Sequence, residues 1–323
     1  MLIEDAVQDY LLRSSILSSK THGWYEQKLR FWLRWCKEQH VLYLTELLAN
    51  DLYAFQKWMQ ALPVCELDRN RPYATSPVSP YTVRGYVQVI RQFSRWTVSE
   101  TYLPSDPFAR VGRPKEPQKI IQPFDAEQLQ ALLRVTSTSS IQSMRDRAML
   151  LVLLDTGIRI SEFTGLTLDR VHLQDEHPWL EIAWQTSKGK KAREVGLGGL
   201  AAQALRKYLR LARRPSDAKS QVLWLNRSGQ PLTVSGVEQA IKELAKHAGI
   251  EGVRASPHTL RHTFSAQFLK NGGDVYALSR LLGHSSVAVT ERYVASLQAR
   301  DVRQRQQTMP SVAESFLRKN SQS

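Results

Sequence analysis

The second half of the chain contains a set of cationic side chains and one phenol. The set consists of Arg159, Lys188, His258, Arg261, His284 and Tyr293. The planar fork of an arginine can bind two phosphate oxygens at once. A phenol becomes a useful nucleophile only when positive charge or a base helps it lose its proton. These residue types therefore favour attack on a phosphodiester, with side chains supplying the positive charge and no metal or cofactor required.

These residues belong to motifs whose order and spacing are more specific than any motif alone. The motifs are Thr156-Gly157-Ile158-Arg159-Ile160-Ser161-Glu162, Ser187-Lys188-Gly189-Lys190, Pro257-His258-Thr259-Leu260-Arg261-His262, Leu281-Leu282-Gly283-His284-Ser285 and Glu291-Arg292-Tyr293-Val294. His258 follows Arg159 by 99 residues, His284 follows Arg261 by 23, and Tyr293 follows nine residues later. Over about residues 124–307 the chain resembles the tyrosine recombinase (phage-integrase-type) family.

The resemblance implies that the protein cuts DNA by transesterification and conserves the bond energy in a 3′-phosphotyrosine at Tyr293. Arg159 and Arg261 would hold the two non-bridging oxygens of the scissile phosphate. Those oxygens gain charge in the transition state, so fixed cations stabilise it more than the ground state. Lys188 matches the family's leaving-group acid, which protonates the departing 5′ oxygen.

Two histidines and a glutamate complete the predicted site. His258 is one turn before Arg261 on the same face of a predicted helix. It would accept the proton of Tyr293 or donate a hydrogen bond to the phosphate, because an unperturbed histidine titrates near pH ~6.5. His284 would donate a hydrogen bond to a phosphate oxygen. Glu162 would orient the site by hydrogen bonding rather than take part in the chemistry.

Other assignments of the same residue types stay open. Lys190 and Lys191 are rival candidates for the leaving-group acid. Tyr276 is a second tyrosine in the region, but no comparable set of cations surrounds it. His258 and His262 are spaced for zinc, yet no glutamate follows His258 as in a metalloprotease motif and no carboxylate ligand can be assigned. No phosphate-binding loop with a Gly-x-x-x-x-Gly-Lys pattern is present, so no nucleotide cofactor is predicted.

Composition limits the partners and the compartment. The 323 residues include 44 Lys and Arg against 30 Asp and Glu, a formal net charge of +14. Such a charge favours duplex DNA as a partner, with a generally basic solvated surface as the less specific alternative. Cys36 and Cys65 are the only cysteines and form no disulfide framework. No signal peptide or membrane span is recognisable, so we expect a cytoplasmic protein without membrane contact.

The length suits two domains of a mainly α fold. We predict a helical N-terminal domain over 1–111, a linker over 112–123, a mostly helical catalytic domain with a small antiparallel β-sheet over 124–309, and a tail over 310–323. The resemblance implies that the first is a core-binding (SAM-like) DNA-binding domain. Two prolines and net positive charge in residues 112–119 favour an extended strap.

The N-terminal domain shows helical spacing of aromatic and basic residues. One stripe consists of Trp24, Lys28, Phe31, Trp32 and Trp35. Core packing is preferred over base stacking for that stripe. A second helix is predicted over 45–61 with Thr45 as N-cap, a proline-rich loop over 63–80, and a third helix over 81–100.

A basic stripe occupies the face of the third helix opposite its apolar side. It consists of Arg84, Gln88, Arg91 and Arg95. Such a stripe is often only solvated, but the resemblance implies that it faces the DNA backbone.

The catalytic domain begins with a capping-box pattern, Asp125 followed by Gln128. A helix is predicted over 141–155, ending at Gly157 as a C-cap. Alternation predicts strands at Trp179–Trp184 and Arg193–Leu197, joined by a turn that carries Lys188. Further helices are predicted over 200–213, 233–248, 258–271, 274–281 and 285–307.

The resemblance also implies an assembly. Two-domain protomers would form C-shaped clamps, and four would assemble on two recombination sites and exchange strands through a Holliday junction. The chain begins almost directly with the core-binding helices, which favours a simple Xer-like or transposon-type recombinase without an arm-type domain. A type IB topoisomerase and a non-catalytic DNA-binding protein are the alternatives. The tail over 310–323 would dock on a neighbouring protomer or on its own domain.

Overall fold

The computed structural model describes residues 1–68, 72–112, 122–183 and 192–284, together with Val287 and Thr290. The chain divides into two compact units, Met1–Lys119 and Ile120–Ser323, and each has its own hydrophobic core. The predicted fold class, mainly helical with a small antiparallel sheet, is confirmed. No helix among the described residues has the length and apolar character needed to cross a bilayer.

The first unit packs its helices around aromatic side chains. The helices are α1 (Ile3–Ser14), α2 (Ser19–Glu38), α3 (Ala49–Ala61), α4 (Val64–Leu67) and α5 (Pro80–Ser99). Trp32 of α2 is fully buried, and its ring centroid lies 5.2 Å from that of the stacked Trp35 and 5.2 Å from that of Phe55, which it meets edge-on. The prediction of a core stripe is thus confirmed for its central residues, whereas Trp24 at its beginning remains 38% exposed. Cys36 is buried among them, as expected of a small apolar side chain.

The predicted beginning of α3 is wrong. Thr45 lies in a separate 3₁₀ turn, Leu44–Glu46, and α3 begins at Ala49. The carboxylate of Asp51 accepts a hydrogen bond from the backbone N–H of Leu48 at 2.7 Å. An acidic side chain in the first turn also interacts favourably with the helix dipole, so Asp51 fixes the start that was assigned to Thr45.

The predicted loop over 63–80 contains the single turn α4. The backbone N–H groups of Val64 and Cys65 donate to the carbonyls of Ser76 and Ala74, both at 2.9 Å. These bonds close the loop on itself and satisfy donors that a short helix leaves unpaired. α5 then begins one residue earlier than predicted, because Pro80 suits the first helical position and the Ser79 hydroxyl accepts from the N–H of Thr82.

The second unit holds the sheet and the remaining helices. The helices are α6 (Ala126–Val135), α7 (Ile141–Thr156), α8 (Ile160–Thr164), α9 (Gly199–Lys207), α10 (Val234–His247), α11 (Pro257–Lys270) and α12 (Val275–Leu282). The capping box of Asp125 and Gln128 is confirmed at α6. α7 is the central helix, and α9 and α11 pack against it. The predicted helix over 200–213 is α9 followed by a π-helical turn, Tyr208–Ala212.

The sheet has three antiparallel strands in the order β1 (Val171–His172), β2 (Trp179–Ile182) and β3 (Arg193–Gly196). Leu180 pairs with Val195 and Ile182 with Arg193. The pairing of the two predicted strands is confirmed, while β1 has two residues and carries too short a pattern to be predicted. β3 brings Arg193 to the edge of the unit's core, at the beginning of the strand.

Candidate functional site

The first predicted arginine follows the end of the central helix. α7 ends at Gly157, whose φ of 56° is left-handed. A Cβ at Gly157 would lie 2.2 Å from Cδ1 of Phe264, so glycine is required both for the conformation and for the contact with α11. The chain then turns into α8, with Arg159 as the residue before its first turn. Glu162 accepts from the backbone N–H of Arg159 at 2.8 Å and from its Nη1 at 3.0 Å.

The second predicted arginine lies one and a half turns into α11. Arg261 is buried, and its Nη1 donates to the carbonyl of Gly157 at 2.7 Å. Its Nη2 contacts Nε2 of His284 at 2.9 Å. A guanidinium can only donate, so Nε2 of His284 is the acceptor in this contact. The proton of a neutral His284 then lies on Nδ1, which is 2.8 Å from the hydroxyl of Thr290.

The C-terminal end of α12 gathers three arginines. Nε of Arg193 donates to the carbonyl of Leu281 at 2.7 Å, Nη2 of Arg261 to that of Leu282 at 2.9 Å, and Nη2 of Arg159 to that of Gly283 at 2.7 Å. The last carbonyls of a helix lack intrahelical partners and carry the negative end of its dipole, so cations bind there favourably. The end of α12 therefore binds Arg159 and Arg261 on adjacent carbonyls, and His284 is the next residue along the chain.

Gly283 makes this convergence possible. Its φ is 62°, and a Cβ there would lie 2.9 Å from Nη1 of Arg193 and 3.2 Å from Nη1 of Arg159. Both guanidinium groups thus pack against the position that any other residue's side chain would occupy. The Leu-Gly-His motif requires glycine at this position because a side chain there would clash with the two guanidinium groups at the end of α12.

Glu162 is the anion of the cluster and is fully buried. Its carboxylate forms a two-pronged pair with Arg193, with Nη1 to Oε1 at 3.1 Å and Nη2 to Oε2 at 2.7 Å, besides its bonds to Arg159. Burial alone would raise the pKa of Glu162, but the hydrogen bonds and charge of Arg193, with smaller contributions from Arg159, lower it below the usual value. Glu162 is therefore ionised at neutral pH.

Arg193 belongs to none of the motifs that indicated the site. Its partners lie 31 residues earlier, in Glu162, and 88 residues later, at Leu281, so no local spacing connects them. The available signal was a basic residue at the beginning of a predicted strand whose neighbours alternate. That signal is too common to single out one arginine.

The other predicted site residues have different standing. His258 is in the first turn of α11 with an exposed side chain, and among the described residues it forms no hydrogen bond with the arginine cluster. Lys188, its rivals Lys190 and Lys191, and Tyr293 lie outside the described residues. Tyr276 is described and is 69% exposed on α12.

The predicted basic stripe on α5 is only partly exposed. Arg84, Gln88 and Arg95 are exposed, as the pattern indicated. Arg91 is half-buried, and its Nη1 donates to the carbonyl of Val111. Arg91 therefore ties the end of the first unit to α5, in addition to any contact it makes outside the chain.

The arrangement can bind an oxyanion. Arg159 keeps 22% of its side chain exposed, although Glu162 beneath it has none. Of the five N–H donors on a guanidinium, those of Arg159 that bond to Glu162 and Gly283 leave others available. Fixed donors of this kind favour a group whose negative charge increases during a reaction.

Comparison with known proteins identifies relatives along most of the chain. The sequence profile described as the phage integrase family matches residues 122–300. Tyrosine recombinase XerD of Listeria innocua is 30% identical over 307 residues, which cover 93% of this chain and 96% of that protein.

Solved structures share the fold. XerH site-specific recombinase, bound to palindromic difH substrate in a post-cleavage complex, superposes with a TM-score of 0.72 at 17% identity and covers 91% of this chain and 81% of its own. The Tn1549 transposon integrase, in complex with a circular intermediate DNA, gives a TM-score of 0.69 at 16% identity, covering 94% and 99%.

Proposed function

Because this chain belongs to the phage integrase family, we propose that it is a site-specific DNA recombinase that cuts and rejoins duplex DNA through a tyrosine-linked intermediate. The observation that carries the proposal is the anchoring of Arg159 and Arg261 on successive carbonyls at one helix end, directly before His284. Two fixed guanidinium groups at one point suit a phosphodiester, which carries two non-bridging oxygens.

The proposed chemistry is transesterification at Tyr293. The phenolic oxygen of Tyr293 attacks phosphorus, and the bond from phosphorus to the 5′ oxygen breaks. The tyrosine proton passes to His258, and the leaving 5′ oxygen takes a proton from Lys188. Arg159 and Arg261 hold the oxygens whose charge grows in the transition state. Attack by a 5′ hydroxyl on the phosphotyrosine reverses these steps and rejoins the strand.

His284 has a specific role in this scheme. Its Nε2 accepts from Arg261 in the described arrangement. To donate to a phosphate oxygen, Nε2 must carry a proton, as it does in the other neutral tautomer, with Nδ1 accepting from the Thr290 hydroxyl, or in the imidazolium form. We therefore propose that phosphate binding inserts an oxygen between Arg261 and the Nε2–H of His284.

The partner is duplex DNA, and the domain roles follow the family. We propose that residues 1–111 bind the core of the recombination site, with the exposed Arg84, Gln88 and Arg95 on its backbone, and that 124–309 carry out cleavage. We further propose four protomers on two sites, a linker over 112–123 and an exchanged tail over 310–323, acting in the cytoplasm where the DNA is. The Tn1549 transposon integrase was solved in complex with a circular intermediate DNA and XerH with its difH substrate, which supports this assignment.

A nicked suicide duplex tests the proposal. The duplex carries the site that the wild-type protein selects from a random-sequence library, and the products are separated by denaturing electrophoresis. Wild type and Tyr276→Phe should form a covalent protein–DNA adduct, whereas Tyr293→Phe should bind the duplex with unchanged affinity and form none. Junctions between two sites distinguish a recombinase from a DNA-relaxing enzyme. No adduct with any variant would leave only a DNA-binding protein.

A further inference from the structure

Arg193 occupies a central place in the arginine cluster without facing solvent as Arg159 does. All three of its guanidinium nitrogens are engaged: Nε with the carbonyl of Leu281 at 2.7 Å, and Nη1 and Nη2 with the carboxylate of Glu162 at 3.1 and 2.7 Å. The paired Nη1–Nη2 edge is the one that would otherwise bind a phosphate. Arg193 is therefore occupied by the protein itself.

Exposure separates the roles of the two arginines that share Glu162. The side chain of Arg193 is 11% exposed and that of Arg159 is 22% exposed, while that of Glu162 is 0% exposed. Arg159 uses Nη1 and Nη2 for one bond each, to Glu162 and to the carbonyl of Gly283. Arg159 can thus still reach a ligand, whereas all three guanidinium nitrogens of Arg193 are bonded within the protein.

Arg193 compensates the buried negative charge of Glu162. A buried carboxylate needs compensation, because leaving one unpaired in the interior is costly. If Arg159 alone supplied that compensation, its positive charge would be neutralised where the phosphate has to bind. The two-pronged pair with Arg193 supplies a second positive charge to Glu162, and Glu162 can then orient Arg159 without cancelling its charge.

We infer that Arg193 is a positioning residue for strand cleavage: it holds Glu162 and thereby keeps Arg159 oriented, and the cluster net positive, toward the scissile phosphate. The inference rests on the proposed function. Arg193 also begins β3, the strand after the segment that carries Lys188, and its bond to Leu281 ties that strand to α12. A single side chain thus fixes three parts of the site relative to one another.

Charge-altering variants test this role. Single-turnover cleavage of the suicide duplex and equilibrium DNA affinity are measured for wild type, Arg193→Gln, Arg193→Lys, Glu162→Gln and the double variant Arg193→Gln/Glu162→Gln. Arg193→Gln should lower the cleavage rate about 100-fold, the loss expected from a displacement of about 1 Å in a catalytic group. Its DNA affinity should stay within about threefold of wild type, because Arg193 does not contact the ligand. Arg193→Lys, which restores charge but not the two-pronged pair, should recover part of the rate.

The double variant supplies the decisive comparison. Removing the carboxylate frees Arg159 from neutralisation, so the double variant should cleave about tenfold faster than Arg193→Gln alone, although each single change is harmful. A purely structural arginine predicts the opposite, since two lost partners would add their damage. Arg213→Gln is the matched control: Arg213 also makes three hydrogen bonds in this unit, to the carbonyls of Ser220 and Val222, and touches no carboxylate among the described residues.

Each outcome decides the matter. Wild-type rates in Arg193→Gln, or a double variant no faster than Arg193→Gln, would overturn the inference while the proposed function stands. If Arg193→Gln does not fold, as judged by circular dichroism, the comparison of Arg193→Lys with Arg193→Lys/Glu162→Gln takes its place with the same expected order. Failure of the wild type to form any adduct would overturn the proposed function and this role together.

Discussion

Replacement of Gly283 by alanine should slow cleavage, because it displaces two arginines of the cluster. The change has two costs at this position. The left-handed φ of 62° costs an L-residue about 1–2 kcal/mol. The new Cβ would also stand 2.9 Å from Nη1 of Arg193 and 3.2 Å from Nη1 of Arg159, closer than the ordinary ~3.5–4.0 Å contact between heavy atoms. Both guanidinium groups must then move by about 0.5 Å.

The two costs can be separated with a matched glycine. Gly249 follows α10 with a φ of 65°, and a Cβ there would meet nothing within 4 Å. Gly249→Ala therefore carries the same backbone strain without displacing an arginine. Chemical denaturation should show a loss of about 1–2 kcal/mol for Gly249→Ala and a larger loss for Gly283→Ala, which also displaces the guanidinium groups.

Cleavage should distinguish them. A displacement of about 1 Å in a catalytic group costs about 100-fold in rate, so a shift about half as large in Arg159 should cost about 10-fold or more. The single-turnover rate on the suicide duplex should thus fall at least about tenfold for Gly283→Ala and remain near wild type for Gly249→Ala. Equal rates in the two variants would show that the convergence of arginines on α12 does not position the reacting groups.

Three further predictions concern folding and DNA binding. Burial lowers the pKa of Lys28 from 10.5 to about 8, so the buried charge destabilises the folded state fully below pH 8 and progressively less as the pH rises toward 10.5. Lys28→Met should therefore melt at a higher temperature than wild type, and this difference should shrink between pH 8 and 10. A difference that stays constant with pH would contradict this prediction. Gly157→Ala should cost about 2–5 kcal/mol in chemical denaturation, with partial recovery on adding Phe264→Leu, because the Cβ would strike that ring. Arg95→Gln should reduce the log–log slope of DNA affinity against salt by about 0.9, while Arg34→Gln, already paired with two glutamates, should leave it unchanged; the same slope in both would make the stripe ordinary solvated charge.

Local signals in the sequence predicted the elements around the site. Gly157 ended a long apolar run and does end α7. Asp125 and Gln128 marked the beginning of α6, and alternation marked β2 and β3. Each of these features is decided within a few residues, by a cap, a left-handed turn or a two-residue period.

Three features of the structure were not predicted correctly: the beginning of α3, the strand β1 and the role of Arg193. Thr45 and Asp51 are both residue types that occur at helix beginnings, but it is Asp51 whose carboxylate accepts the N–H of Leu48 at the start of α3. β1 spans two residues, which is too short for any periodicity to appear. Arg193 escaped notice because its function depends on a carboxylate and a helix end that only folding brings to it. Residue types and spacing therefore indicated Arg159 and Arg261. They could not indicate Arg193, whose bonds to Glu162 and to the carbonyl of Leu281 form only in the folded chain.

The most direct test of the central claim is to identify the residue that becomes linked to DNA. The cleavage reaction on the suicide duplex is run with and without excess chelator. The adduct is then digested with nuclease and trypsin, and the peptide that retains a nucleotide is sequenced by mass spectrometry. We predict a phosphodiester on Tyr293, formed equally well with and without chelator because Arg159 and Arg261 supply the positive charge. A nucleotide on Tyr276 or on any other residue, or an adduct that chelator abolishes and added metal restores, would contradict the account.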